Sequence, residues 1–129
     1  MRLRFDEREL LLLRGAEQVR GAALAATPRT DQLRTALSLA KAGRKLAQAR
    51  PGASVVLDET EVRLLVDALK FTNDEIRWAA RAPETDRSPR REAVMNGFPE
   101  LSERGAWRGF GLSRELDDVT ARLTTALSA

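Results

Sequence analysis

Phe5-Asp-Glu-Arg-Glu-Leu-Leu-Leu-Leu13 and Leu57-Asp-Glu-Thr-Glu-Val-Arg-Leu-Leu65 align without a gap at an offset of 52 residues. Each carries the grammar of a chain entering a helix. Asp6 and Asp58 stand at N-cap positions, and Glu9 and Glu61 follow three residues later, the spacing of a reciprocal capping box. Phe5 with Leu10, and Leu57 with Val62, occupy the positions of a hydrophobic staple. A short β-prone stretch precedes each, Arg2 to Phe5 and Ser54 to Leu57, so strand-then-helix occurs twice. The similarity is either an internal duplication or the common grammar of a strand running into a helix. The two strands are expected to pair with each other or across a dimer.

Working outward, Leu12, Ala16, Val19 and Ala23 recur at helical spacing, so a first helix is expected over residues 6–25, ending before Pro28. Thr30 or Asp31 opens a second helix running to Gln48, stopped by Pro51-Gly52. Its Ala36, Ala40, Gly43 and Ala47 make a ridge of small side chains, flanked by Leu33, Leu37, Leu39 and Leu46. Such a ridge lets a neighbouring helix approach closely, which pairs the first two helices as a hairpin. A third helix begins at Asp58 and buries Val62, Leu65, Val66 and Leu69; it restarts at Thr72 or continues unbroken through it to Ala82. Residues 83–91 form a polar, mobile connector, and Ser88-Pro89 opens a short helix ended by Gly97 as a C′ glycine. Pro99 to Gly105 makes one further turn, Gly105-Ala-Trp-Arg-Gly-Phe-Gly111 a glycine-broken aromatic loop, and Ser113 caps a last helix striped by Leu116, Val119, Leu123 and Leu127.

The expected fold is therefore mainly α: a single helical domain over residues 1–129 with one or two short strands and a possible strand–helix duplication. Its parts are a strand plus helical hairpin (1–50), a second strand–helix unit (53–82), the connector (83–91), and short helices, aromatic loop and C-terminal helix (92–129). A chain of 129 residues, 43% of them hydrophobic and 32% charged, buries a sizeable core without staples.

Cysteine, histidine and tyrosine are all absent. Disulfides, Ser-His-Asp and Cys-His catalysis, and zinc sites built on His or Cys are thereby excluded. No uncharged run approaches the roughly 20 residues of a membrane span, and the charged N-terminus lacks the apolar stretch of a signal peptide, so a cytoplasmic protein without membrane contact is expected. Net charge is +3, unevenly spread: residues 1–52 hold 11 basic and 5 acidic side chains, residues 53–129 hold 11 and 14. A basic front and acidic back suit an anionic partner or self-association.

Three groups of residues are candidates for chemistry. Arg34, Lys41, Arg44 and Lys45 lie on the second helix, where residues 29–50 carry six basic side chains and one acidic, a footprint suited to phosphate or to simple solvation. With Arg2 and Arg4 alternating on the first strand, the strand–helix–helix order of residues 1–48 resembles ribbon-helix-helix DNA-binding proteins. Its interhelical turn, Ala26-Thr-Pro-Arg-Thr30, lacks that family's usual glycine. The resemblance implies a dimer whose paired strands present Arg2 and Arg4 to bases. Second, Trp107, Arg108 and Phe110 interleave aromatic rings with arginine, a composition that serves core packing, a protein interface or base stacking. Trp78 belongs to the core. Third, Glu100-Leu-Ser-Glu103 and Glu115-Leu-Asp-Asp118 place two pairs of carboxylates at i, i+3. That arrangement resembles the magnesium-binding pairs of MazG-like all-α nucleotide pyrophosphohydrolases. It is also what salt bridging by Glu100–Arg104 and Asp118–Arg122 would produce.

No catalytic residue, metal ligand or cofactor is assigned from these features. The expected function is a small, non-catalytic protein-interaction module that binds a protein partner or itself, as a homodimer. Nucleic-acid binding through the basic strand and second helix is the first alternative, and a magnesium-dependent pyrophosphohydrolase the second.

Overall fold

The computed structural model describes residues 1–26, 29–83, 85–102 and 107–129, with Ser102, Trp107 and Arg108 described by their backbone alone. Its order is β1 (Arg2–Arg4), α1 (Glu7–Ala26), α2 (Leu33–Gln48), β2 (Ser54–Val56), α3 (Glu59–Arg81), α4 (Pro89–Gly97) and α5 (Trp107–Ser128), with short 3₁₀ turns at Thr30–Gln32 and Pro99–Ser102. The mainly α class with short strands is what the structure shows. Both capping boxes form. Glu9 N–H donates to Asp6 Oδ1 at 2.7 Å and Asp6 N–H to Glu9 Oε1 at 3.0 Å; Glu61 N–H and Asp58 N–H make the same pair of bonds at 2.7 and 3.0 Å. Phe5 and Leu57, one residue before each cap, are fully buried.

The strands pair with each other, antiparallel, in the register Arg2 with Val56, Leu3 with Val55 and Arg4 with Ser54. This register has a symmetry that the 52-residue offset explains. Val55 is the counterpart of Leu3, and the offset carries the Arg2–Val56 pair onto Ser54–Arg4. The two strand–helix units therefore face each other about a local pseudo-dyad through Leu3 and Val55. At one end of the ribbon Met1 and Leu57 exchange backbone hydrogen bonds of 2.7 and 3.0 Å; at the other Gly52 N–H donates to Phe5 O at 2.9 Å. Gly52 has φ 78°, which favours glycine in the turn entering β2.

The same spacing of buried residues occurs in the two flanking helices. An offset of 77 carries the buried Leu39, Ala42 and Leu46 of α2 onto the buried Leu116, Val119 and Leu123 of α5, and Lys45 onto Arg122. The extra 25 residues match the length of segment 82–106, which contains α4. Lys45 bonds Glu61 of the second capping box, and Arg122 bonds Glu9 of the first. Each flanking helix thus clasps the helix start of the opposite unit.

Several local expectations are revised by packing. The third helix runs unbroken through Thr72, whose hydroxyl donates to Ala16 O at 3.4 Å. The small-residue ridge of α2 is not its buried face: Leu39, Ala42 and Leu46 are buried, one residue out of phase, whereas Leu33, Leu37 and Ala47 are exposed. Gly43 instead makes room for the Glu17 carboxylate, whose Cδ lies 2.6 Å from where a Cβ would stand. Ser88 caps α4 with Pro89 in its first turn, as expected. The end of α4 uses Gly97 for contact rather than for backbone conformation. A Cβ there would lie 2.8 Å from Val19 Cγ2 and 3.0 Å from Gly15 O. The expected aromatic loop is helical from Trp107 onward, so Ser113 is inside α5 and caps nothing. Gly109 is buried, and a Cβ there would meet Ile76 and Ala80 at ordinary contact distances of 3.5 and 3.7 Å; the helix start that glycines at 109 and 111 disfavour is supported by the packing of α5 on α3. Among the connector's described residues, Asp86 accepts the Ser88 N–H at 2.7 Å and Arg91 donates to Pro83 O at 3.2 Å.

The α1–α4 crossing yields a sharp prediction. A Cβ on Gly15 would lie 2.6 Å from the Phe98 ring and 2.8 Å from Gly97 O, a backbone atom that cannot swing aside. Gly15→Ala should destabilise the protein by about 2–3 kcal/mol, against the small gain expected at an open helical glycine. Urea denaturation measures it, and an unchanged midpoint would show that α4 is not seated on α1.

Candidate interaction surface

The carboxylate pairs do not form a common cluster among the described residues. Glu100 and Glu115 approach each other around Arg8: its Nε donates to Glu115 Oε2 at 2.7 Å, one Nη to Glu115 Oε1 at 2.9 Å, and that Nη lies 3.0 Å from Glu100 Oε1. The guanidinium occupies the place between the carboxylates that a cation would need. The Glu115 hydrogen bonds raise the Arg8 pKa, and the same bonds hold Glu115 below its ordinary range. Asp118 is exposed, and Glu103 lies outside the described residues. The expected Asp118–Arg122 pair is absent among the described contacts, because Arg122 reaches Glu9 and the Arg4 carbonyl and lies over the Phe5 ring. Glu100–Arg104 also lies outside the described residues. No group of three or more acidic side chains among the described residues is arranged to hold a metal ion.

An open cleft of about 410 Å³ borders this cluster, lined by Leu11, Gln18, Phe98 and Pro99 with Arg8 and Arg14 at its sides. Both arginines have structural work. Arg14 donates to Leu46 O at 2.9 Å and Ala49 O at 3.0 Å, satisfying carbonyls at the end of α2. Ser113, the buried hydroxyl of α5, donates to Asn73, whose amide donates to Asp117 at 2.7 Å. Its partner is an amide, which is no general base.

The basic candidates divide. Lys45 is a structural residue: its Nζ lies 2.6 Å from Glu61 Oε1, and Glu61 is only 2% exposed, with Oε2 lacking a protein partner among the described residues. Arg34, Lys41 and Arg44 are on α2, where Arg34 and Lys41 are exposed and Arg44 is exposed beside them, and they enter no ion pair among the described residues. Arg2 and Arg4 are also exposed, on the outward face of the ribbon. The strand opposite them belongs to the same chain and offers Ser54 and Val56, so the ribbon carries these arginines on one strand only. Exposed Asp6, Glu7, Asp58 and Glu59 flank it.

Among the aromatic candidates, Phe110 is 73% exposed at the start of α5, while the side chains of Trp107 and Arg108 lie outside the description. Trp78 is half-buried, with the Arg90 guanidinium 4.0 Å from its ring centroid and bonded to Glu75. The feature that sequence patterning misses is on α2, where Leu33 and Leu37 are 59% and 63% exposed, one turn apart. These leucines flank the small-residue ridge; the one-residue phase shift turns them outward beside Arg34, Lys41 and Arg44. No described helix is long and apolar enough to cross a membrane. No known protein family, curated protein or solved structure matches the chain.

Three charge substitutions test this assignment of roles. Lys45→Ala strands the buried Glu61 carboxylate and should cost about 2–3 kcal/mol in chemical denaturation. Adding Glu61→Gln, which keeps the capping geometry without the charge, should recover most of it. Glu17, half-buried between α1 and α2, has its pKa raised by desolvation. A raised carboxyl pKa means the folded state holds the proton longer, so this contribution is full below the unfolded value and lost as pH rises through the folded one. Glu17→Gln should therefore raise Tm at neutral pH and reduce the gap to wild type as pH falls toward 4.5, the ordinary Glu value.

Proposed function

We propose that the protein is a non-catalytic protein-interaction module whose docking surface is the outward side of α2. The observation that carries this reading is the exposure of Leu33 and Leu37 on a helix whose opposite side is buried. Exposed leucines are common singly; two at i, i+4 beside cations make a contiguous amphipathic stripe. Phe110 adds a third exposed apolar side chain, at the position of α5 that lies 77 residues after Leu33. The lack of Cys, His and Tyr, the seating of Ser113 against Asn73, and the pairing of Glu100 and Glu115 with Arg8 all weigh against a catalytic role.

Nucleic-acid binding is the second reading, favoured by the exposed Arg2, Arg4, Arg34, Lys41 and Arg44. The acidic helix starts around the ribbon, and the leucines in the α2 stripe, fit it less well. A phosphate backbone gains nothing from exposed Leu side chains.

Affinity capture from the native cell, quantified against Leu33→Asp/Leu37→Asp, separates the readings. Capture of a defined protein should fall at least tenfold in the double variant and persist in Arg2→Ala/Arg4→Ala, with both variants retaining wild-type Tm to within a few degrees. Capture indifferent to the leucine substitutions would overturn the assignment of α2.

A further inference from the structure

Leu33, Leu37, Lys41 and Arg44 follow one another at steps of four, four and three residues, so they form one stripe on α2. The stripe lies opposite the buried Leu39, Ala42 and Leu46. Its first half is apolar and its second half cationic. Arg34 adds a charge alongside, and α2 contains no acidic residue from Leu33 to Gln48. From Leu33 to Arg44 the stripe spans about 16 Å, or three helical turns.

The fold itself does not demand this composition, and the molecule contains its own control. The equivalent positions on α5 are Phe110, Arg114, Asp118 and Ala121, all exposed. There a cation and a carboxylate share the stripe, as on an ordinary solvated helix. On α2 the same surface positions hold a second leucine and cations only. Lys45 is paired with Glu61 and contributes no free charge, whereas Arg34, Lys41 and Arg44 are in no ion pair among the described residues, Lys41 acting on Asp58 only beyond ion-pair distance.

We infer that the α2 stripe is the seat of an amphipathic helix of opposite charge, one whose leucine-type apolar face is bordered by Asp or Glu. This rests on the proposed reading of α2 as a docking surface and adds the chemistry of the occupant. Apolar side chains of the partner cover Leu33 and Leu37, and its carboxylates lie over Lys41, Arg44 and Arg34. A second copy of this chain docking through the same helix is disfavoured, because it would bring two helices without an acidic residue face to face. Duplex DNA would satisfy the cations and leave the leucines in water.

The test uses full-length protein and labelled Ala-rich helical peptides of roughly 20 residues, long enough to be helical alone. One carries leucines at i, i+4 bordered by Glu; its twin carries Lys in place of Glu; a short DNA duplex is the third probe. Anisotropy should show saturable binding of the Glu peptide, weakened several-fold from low to high salt. Leu37→Asp and Arg44→Glu should each weaken it at least about tenfold, with Leu33→Ala/Leu37→Ala as a milder variant and circular dichroism confirming the fold. Equal binding of the Lys peptide, or no binding of the Glu peptide at low salt, would overturn the inference. So would DNA binding lost in Arg44→Glu but kept in Leu37→Asp, or a dimer in sedimentation that Leu37→Asp dissociates. Loss of cellular capture in Leu33→Asp/Leu37→Asp together with a silent Glu peptide would refute the partner chemistry alone; unaffected capture would refute the docking surface.

Discussion

The antiparallel pairing of Leu3 with Val55 is the constraint on which the rest of the molecule depends. A ribbon of two three-residue strands is marginal alone. Here it is held from beneath, because Phe5 and Leu57 leave it directly for the core and Asp6 and Asp58 then start α1 and α3. The register fixes where the two helices begin relative to each other. From that common base α1 and α3 pack on each other, Thr72 meeting Ala16, while α2 lies beside α1 and α5 beside α3 with buried residues at matching spacing. Leu39, Ala42 and Leu46 do on one side what Leu116, Val119 and Leu123 do on the other.

Charge follows the same plan and is largely consumed by it. Lys45 crosses to Glu61, Arg122 crosses to Glu9, and Arg8 gathers Glu100 and Glu115, so α2, α5 and the turn after α4 are each tied to the base or to α1. Exposed ion pairs of this kind contribute modestly. The Lys45–Glu61 pair differs because one partner is almost wholly buried, which makes it costly to break whatever its net contribution. These ties remove several groups from the list of functional candidates. On α2 they leave Arg34, Lys41 and Arg44 without an ion-pair partner among the described residues.

The capping grammar makes both strand–helix starts legible in the order of residues alone, since a box and staple are local patterns whose hydrogen bonds span only three residues. Ser88-Pro89 and the stripe of Leu116, Val119 and Leu123 are legible for the same reason. Three features mislead. Glycines at 105, 109 and 111 point to a loop, but the packing of α5 on α3, which buries Gly109, outweighs the weak helix propensity at 109 and 111. Thr72-Asn73 resembles a restart, yet both polar side chains find partners, Ala16 O and Ser113 with Asp117, that only the folded chain brings near. The i, i+3 carboxylates resemble a metal site, and nothing at that spacing reveals Arg8, which arrives from 92 residues before Glu100 and 107 before Glu115. For the candidate surface, the basic content of α2 is evident from composition, but not which of its sides faces water.

Patterns of short range were decided by the chain's own order of residues: where helices start, that strand and helix recur, and that thiol and imidazole chemistry are impossible. Packing decided the phase of α2, the burial of Lys45's partner, and the exposure of Leu33, Leu37 and Phe110. A helix with leucines on two sides has two plausible inward faces. The choice between them is made by the shape of α1 and α3, whose side chains α2 meets only in the folded chain.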